Sequence, residues 1–215
     1  VAGDVAYLNL GSTMTVDGTA EEAAELHLAS WSGNSDLVTL NIANGGSLEI
    51  LTGWTYVGVA AGDFGLLSVD SGSTFTANSA LNVGYNGNGT LDVNGGTVNA
   101  LGGLFVSNPW AGGTGAGTVN LYDGIVNVST DFVMSPTGLI DIHAGSLSIY
   151  GLWWDSALTG YIDADQIVGY GDTQTVNIDH VGDYTVLTAV PEPATLGMLA
   201  VFGGAMLFIR RKITI

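Results

Sequence analysis

A pattern of alternating apolar residues around a glycine recurs along the chain, and it limits the folds that the chain can adopt. Each copy has two apolar residues at alternate positions, a glycine about three residues later, and two more alternating apolar or small residues. Alternation with a period of two predicts β-strands, and the glycine supplies a turn conformation that other residues resist. The anchoring glycines lie 21 to 28 residues apart, at Gly45, Gly72, Gly96, Gly124 and Gly145.

Such repeats predict an all-β fold, a parallel β-solenoid (β-helix), because one unit cannot bury its apolar face whereas a stack of units can. Successive coils would lie about 4.8 Å apart. An antiparallel sandwich or barrel is the alternative, but hairpin arrays carry turns every 8 to 12 residues or so without a longer repeat. Two columns should point inward: Leu40, Leu67, Leu91, Val119, Ile140 and Ile42, Val69, Val93, Leu121, Ile142. One column between them should point outward: Asn41, Ser68, Asp92, Asn120, Asp141.

Shorter apolar segments complete the coils. A third strand is predicted within four units, at 56–58, 81–84, 104–106 and 132–134. A weaker copy of the repeat, Leu8/Leu10-Gly11-Met14/Val16, opens the chain. Residues 19–30 are predicted to form a strand or loop of an early coil, with a short helix as the alternative because Ala and Glu favour helices.

The repeat ends after Tyr150. Residues 151–189 contain Trp153 and Trp154, an Asp-rich stretch and a last strand-like segment at 184–188. A stack of coils has an exposed end that an atypical unit is expected to cover. We therefore predict that residues 1–150 form the solenoid repeats, and that residues 151–189 form a C-terminal cap and linker with both tryptophans over the last coil.

The repeats also carry a family resemblance. Residues 81–84 read Leu-Asn-Val-Gly, and residues 89–96 read Gly-Thr-Leu-Asp-Val-Asn-Gly-Gly. These segments resemble the β-helical surface proteins of the autotransporter-passenger type and those associated with PEP-CTERM signals. The resemblance implies the same solenoid fold.

The C-terminal tail contains an apolar segment followed by a basic cluster. Residues 196–209 contain no charge, and every Lys and Arg of the chain follows them, at Arg210, Arg211 and Lys212. A helix of about 14–16 residues would rise about 21–24 Å, short of the ~30 Å hydrocarbon core, although basic side chains can snorkel. We predict a single transmembrane helix over 194–209, stopped on the cytoplasmic side by the basic cluster. A buried core helix is the alternative.

The start of the tail is polar and proline-rich: Val190, Pro191, Glu192, Pro193, Ala194, Thr195. With the apolar segment and the basic cluster, this order of parts resembles the PEP-CTERM sorting signal of Gram-negative surface proteins, over residues 190–215. The resemblance implies recognition by a membrane-embedded exosortase, cleavage near Pro-Glu-Pro, and release or attachment at the cell surface. The apolar tail would be discarded, as it is from GPI signals. The extra Ile213-Thr214-Ile215 departs slightly from the pattern.

The start of the chain lacks an export leader. It opens Val1-Ala2-Gly3-Asp4, without Met and without a charged and then apolar segment. Because an exported protein needs a leader, we expect a fragment or a trimmed chain. The expected location is the inner membrane during sorting, and afterwards the cell surface or the extracellular space.

Charge and cysteine content exclude several functions. The net charge is −17, with 20 acidic and three basic side chains. Nucleic-acid binding needs a basic footprint, so nucleic acid is not an expected partner. The chain has no Cys, which removes disulfides, thiolate catalysis and Cys-based zinc sites.

Catalytic and metal sites are also not expected. Some β-helices are polysaccharide lyases or hydrolases, but lyases need a basic side chain and hydrolases need paired carboxylates. Asp163 and Asp165 would share a strand face without a supporting Arg, Lys or His, and His27, His143 and His180 are far apart. We expect no catalytic residue, no metal site and no cofactor. Non-specific calcium binding stays open, because carboxylates and carbonyls at Gly-rich turns suit that ion.

These inferences predict an exported, surface-displayed structural or adhesive β-solenoid, sorted by its tail. Its expected partners are an exosortase-type processing enzyme and the inner membrane before processing, with exopolysaccharide as a further candidate. The alternative is a carbohydrate-binding module of the extracellular matrix, with Trp153 and Trp154 as the glycan contacts.

Overall fold

The computed structural model describes residues 4–30, 35–107 and 115–190. In chain order the elements are β1 (Val5–Leu8), β2 (Thr13–Asp17), β3 (Ala20–Ala23), β4 (Glu25–Leu28), β5 (Leu37–Ala43), β6 (Ser47–Ile50), β7 (Thr55–Val57), β8 (Phe64–Asp70), β9 (Thr74–Ala77), β10 (Leu81–Val83), β11 (Asn88–Ala100), β12 (Leu104–Val106), β13 (Gly117–Val128), β14 (Phe132–Met134), β15 (Leu139–Ile142), β16 (Ser146–Tyr150), α1 (Asp155–Asp163), β17 (Ile167–Gly169), β18 (Thr175–Val181) and β19 (Tyr184–Val190).

These elements form a β-solenoid of about six coils, as the repeats predict. Each coil contributes to three faces that we number along the chain. Face 1 contains β2, β5, β8, the first half of β11, the first half of β13, β15 and β17. Face 2 contains β3, β6, β9, the second halves of β11 and β13, and β16. Face 3 contains β1, β4, β7, β10, β12 and β14. All of these pairings are parallel.

The predicted columns of face 1 are confirmed. Leu91 pairs with Leu67 on one side and Val119 on the other, and Val93 pairs with Val69 and Leu121 in the same way. The members of both inward columns are buried. The outward column also has the predicted register, with Asp92 between Ser68 and Asn120. Because side chains alternate along a strand, this register brings equivalent residues of every coil into one core.

Close approach of the backbone at the corner between faces 1 and 2 explains three of the anchoring glycines, Gly96, Gly124 and Gly145. A Cβ on Gly124 would lie 2.6 Å from the Gly96 carbonyl oxygen, and one on Gly145 would lie 2.7 Å from the Gly124 carbonyl oxygen. The backbones of these coils therefore approach too closely at this corner for a side chain. Gly45 and Gly72 have open space at the Cβ position, and they are favoured by their positive φ of +78° and +76°.

The first coil corrects two details of the sequence reading. The weaker copy of the repeat placed Met14 and Val16 after its glycine. They instead pair with Leu40 and Ile42, so they belong to face 1, before the corner. The alternative of a short helix in residues 19–30 is wrong, because this segment forms β3 and β4. Pairing with the second coil overrides the helix propensity of its Ala and Glu residues.

Residues after Tyr150 depart from the parallel coil. The strand β19 pairs with β16 in the antiparallel sense, and β18 then pairs with β19. The turn between β18 and β19 has two residues, and Gly182 opens it at φ +62°. The helix α1 occupies the place in the coil where a face-3 strand would lie.

Aromatic contacts attach α1 to the edge of face 3. The Phe132 ring meets Trp154 and Tyr161 edge-on, with ring centroids 6.3 and 6.0 Å apart. The backbone N–H of Met134, on the last strand of that face, donates to the Tyr161 hydroxyl at 3.3 Å. The first turn of α1 carries Asp155, whose charge suits the positive end of the helix dipole.

The predicted transmembrane helix over 194–209 lies outside the described residues. Within 4–30, 35–107 and 115–190, no helix has the length and apolar character to cross a membrane.

Replacing Val93 with Asp tests the solenoid register. Val93 is fully buried between Val69 and Leu121, and no Lys or Arg precedes Arg210 to pair with a new carboxylate. We expect Val93→Asp to lower the free energy of unfolding by at least about 3 kcal/mol, measured by urea denaturation.

The matched control is Asn99→Asp, on the outward side of the same strand. The Asn99 Oδ1 accepts from Asn127 Nδ2 at 3.0 Å, and an Asp carboxylate would keep this hydrogen bond. We expect this variant to change stability by less than about 1 kcal/mol. Equal losses from the two substitutions would contradict the inward position of Val93.

Candidate functional site

The outward side of the solenoid carries hydrogen bonds between the side chains of neighbouring coils. The Asn120 amide donates to Asp92 at 2.7 Å, Asn78 donates to Glu49 at 2.8 Å, and Asn44 donates to Asp17 at 2.6 Å. Each bond joins residues 27 to 29 positions apart. Asn amides therefore take the place that Lys and Arg hold beside carboxylates in other proteins.

The three histidines each lie next to a carboxylate. His27 Nε2 is 3.0 Å from Glu25 Oε1, at ion-pair distance but without the alignment of a hydrogen bond. His143 Nε2 is 3.1 Å from Asp141 Oδ2, and His180 Nε2 is 2.9 Å from Asp155 Oδ1. The histidines are not brought together, in agreement with their separation in the sequence.

An aromatic ladder runs along the outward side of face 3. We define it as Tyr7, His27, Tyr56 and Tyr85, with Trp54 beside it. Parallel pairing places Tyr7 beside His27, and His27 beside Tyr56. Their ring centroids are 4.8 and 4.9 Å apart, and the rings are tilted by 37° and 47°.

Two further rings contact Tyr56, at the end of the ladder away from Tyr7. Tyr85 meets the Tyr56 ring edge-on with centroids 5.0 Å apart, and the Trp54 centroid is 5.8 Å from Tyr56. Tyr7 remains 60% exposed and Trp54 44% exposed. This ladder therefore presents aromatic surface to solvent across three neighbouring coils.

Polar groups border the ladder. Glu25 lies two residues before His27 on the same side of β4. Asn82 follows Tyr56 in the outward column of face 3, and it is only 3% exposed. Its Nδ2 atom has no hydrogen-bond partner among the described residues. The exposed surface of the ladder thus combines apolar rings with a carboxylate acceptor, whereas the Asn82 amide is buried beside it.

A second stack lies on the outward side of face 1, near the C-terminal end. The His143 ring is 5.0 Å from Tyr122 and 4.6 Å from Tyr170, measured between centroids. Asp141 accepts from His143 and also from the backbone N–H of Gly171 at 2.9 Å. These contacts attach the 170–174 turn to the last coils, so this stack has a structural role.

The environment of two tyrosines opposes their ionisation. Burial raises the pKa of Tyr56 above its usual value of 10.0, and the neighbouring Tyr85 and Glu25 act in the same direction. Burial likewise raises the pKa of Tyr122, with Asp92 and Asp141 as further causes. Both phenols stay neutral, and able to donate a hydrogen bond, to a higher pH than a free tyrosine.

The two predicted glycan contacts have different surroundings. Trp153 is 71% exposed, and its ring lies over Gly151, where an added Cβ would clash. Trp154 is partly buried against Phe132, and its Nε1 donates to the Tyr150 carbonyl at 3.0 Å. The two ring centroids are 6.4 Å apart. Only Trp153 therefore offers a largely free ring.

The sorting residues lie at and beyond the end of the described fold. Val190 is the last residue of β19 and pairs with Thr175. The other predicted sorting and stop residues lie outside the described residues: Pro191, Glu192, Pro193, Arg210, Arg211 and Lys212.

Carboxylate pairing differs from the sequence reading at one place. Asp163 ends α1 and Asp165 lies in the following turn at φ +56°, so the two do not share a strand face. In the part of the chain that the structure describes, no three His, Asp or Glu side chains come together as a metal site would require.

Sequence reasoning missed the aromatic ladder, although a signal for it exists. The third strand of each coil alternates in–out–in, so its middle residue points outward. In the early coils that middle residue is Tyr7, His27 or Tyr56. An alignment of the third strands of all coils would reveal this column, as the alignment of the first strands reveals the columns of face 1.

Comparisons of this chain with family models, with curated proteins and with solved structures find no match. The fold itself defines the protein as a parallel β-solenoid.

The raised tyrosine pKa values predict a loss of stability in alkali. Above pH 10.0 the unfolded chain begins to lose phenolic protons that the folded chain retains, so the free energy of unfolding should fall as the pH rises through the folded pKa. Urea midpoints measured from about pH 8 upward should show this decline. The double variant Tyr56→Phe/Tyr122→Phe should decline less steeply while matching the wild type near pH 8, and an unchanged slope would contradict the prediction.

Proposed function

We propose that this protein is an exported, surface-displayed structural or adhesive β-solenoid that is sorted by its C-terminal tail. The observation that carries the proposal is the position of the sorting motif relative to the fold. The last described strand, β19, ends at Val190, directly before Pro191. Cleavage after this point would leave the described hydrogen-bonded core intact.

The surface of the solenoid supports a structural or adhesive role. Its outward columns are acidic or carry amides, and their side chains are hydrogen-bonded from coil to coil. Such a surface is well hydrated and repels anionic surfaces, while the stacked coils hold it in a fixed geometry. A rigid, soluble rod of this kind suits display at the cell surface.

The tail supplies the sorting step of the proposal. The transmembrane helix over 194–209 would be held by Arg210, Arg211 and Lys212, which are costly to move across a bilayer at about 2.5–3.5 kcal/mol each. Pro191, Glu192 and Pro193 would then lie at the outer face of the membrane. Proline favours an extended backbone there, which a processing enzyme of the exosortase type could bind.

Intact-mass analysis of the surface fraction tests this sorting role in a host with an exosortase. We expect the wild-type protein to lose its tail, and the replacement of Pro191, Glu192 and Pro193 by Ala to leave an intact precursor in the membrane. Replacing Arg210, Arg211 and Lys212 by Ser should weaken the stop and mix the orientations.

The matched control replaces three other residues of the same tail, Ile213, Thr214 and Ile215, by Ala. We expect this variant to be processed like the wild type. A surface protein that still ends at Ile215 in an exosortase-positive cell would refute sorting and leave a plain membrane anchor.

A carbohydrate-binding module of the extracellular matrix is the second candidate function. The observation that favours it at the predicted position is the exposed Trp153 ring, since aromatic side chains offer large amphipathic contact surfaces. Trp154, by contrast, has a packing role in the cap.

Two alanine variants separate binding from packing at this position. If the tryptophans bind glycan, Trp153→Ala should abolish saturable binding on a glycan array with little change in stability. Trp154→Ala should lower the free energy of unfolding by at least about 1 kcal/mol, because it removes an aromatic pair and a hydrogen bond. Unchanged array binding in Trp153→Ala would remove this site from consideration.

A further inference from the structure

We propose that the aromatic ladder of face 3 binds an uncharged glycan chain that runs along the solenoid axis. This site is separate from Trp153 and lies near the opposite end of the stack. The proposal shares its ligand class with the second candidate function, but it depends neither on that site nor on the sorting of the tail.

The spacing of the rings favours a polymeric ligand. Tyr7, His27 and Tyr56 belong to three successive face-3 strands, and their centroids are 4.8 and 4.9 Å apart. This distance is the interstrand spacing, so the rings repeat once per coil along the axis. A ligand that meets all of them must itself extend along that axis, as a chain of linked sugar rings does.

The exposed rings supply an apolar contact surface. Tyr7 lies at one end of the ladder and Trp54 lies beside Tyr56, and both rings remain open to solvent. The tilt between neighbouring rings prevents them from covering each other completely. The C–H faces of β-linked pyranose rings are flat and apolar, so they match such a surface, whereas the hydroxyl groups at the ring edges need polar partners.

Those polar partners border the ladder. The Glu25 carboxylate can accept hydrogen bonds from sugar hydroxyls, and the neutral Tyr56 phenol can donate one. The Asn82 amide lies in the same outward column, but its Nδ2 atom is buried and is not open to a ligand on this surface.

Charge decides between neutral and acidic glycans. No Lys or Arg occurs among the described residues, so none of them can neutralise a uronate at the ladder. Glu25 would repel a uronate directly, and the net charge of −17 would add to this repulsion. The ligand is therefore an uncharged, β-linked polysaccharide.

Isothermal titration calorimetry on the full chain in a mild neutral detergent tests the proposal. The probes are cellohexaose and chitohexaose as neutral β-1,4-linked chains, and a β-1,4-linked oligomannuronate of equal length as the acidic comparison. We expect saturable binding of at least one neutral probe and none of the acidic one. Binding of the oligomannuronate alone, or of no probe up to its solubility limit, would overturn the proposal.

Variants locate the binding to the ladder. Tyr7→Ala and Trp54→Ala should each weaken the affinity for the neutral probe about tenfold, which corresponds to roughly 1.4 kcal/mol. Tyr7→Phe should retain the wild-type affinity because it keeps the ring. Both Ala variants remove exposed side chains, and their urea midpoints should stay close to that of the wild type.

The matched control is Tyr122→Ala, which removes an exposed ring from the second His–Tyr stack, on face 1. This variant and Trp153→Ala should bind the neutral probe as the wild type does. Equal losses in Tyr122→Ala and Tyr7→Ala, or full affinity in both ladder variants, would contradict a site on the ladder. None of these outcomes bears on whether the tail is processed, which the mass analysis decides separately.

Discussion

Parallel hydrogen bonding between successive coils is the interaction on which the rest of this structure depends. A single coil has apolar side chains on the inward side of three short strands, and it has no partner of its own to cover them. Pairing in register, as between Leu91 and Val119, closes the backbone ladder and the core at once. The same register repeats every outward position along the axis, so any surface feature of one coil can be extended into a line.

Outward lines of like residues create an electrostatic problem that the chain solves without cations. Carboxylates stacked at the interstrand spacing would repel each other, and no Lys or Arg is present before Arg210. The outward column of face 1 instead alternates carboxylates with amides or a hydroxyl, as where Asn120 donates to Asp92. On face 2, Glu22 pairs directly beside Glu49, and Glu49 accepts a hydrogen bond from Asn78. An amide supplies the donor that a salt bridge would, and it adds no positive charge. The surface can therefore remain strongly acidic.

The sequence predicted the solenoid well because its core residues alternate with surface residues within each short strand. The columns of face 1 and the third strands followed from period two and from glycine at the corner. The helix α1 was not predicted, because Asp155–Asp163 lies in an Asp-rich stretch with only Leu158 fully buried, so its apolar periodicity is weak. The aromatic ladder was missed for a different reason. Its members, such as His27 and Tyr56, are neighbours only across coils, so nothing in either local segment marks them as a group.

The two ends of the stack differ in how their core is covered. At the N-terminal end, Leu26, Leu40 and Leu48 line an open cavity of about 180 Å³. At the C-terminal end, α1 lies over the last strand of face 3, and β19 and β18 extend face 2 in the antiparallel sense. An antiparallel hairpin adds its own hydrogen bonds to the edge without presenting another apolar coil face. The helix and strands of this cover all precede Pro191, so proteolysis within residues 191–193 would remove none of them. A processed tail and a stable solenoid are therefore compatible in one chain.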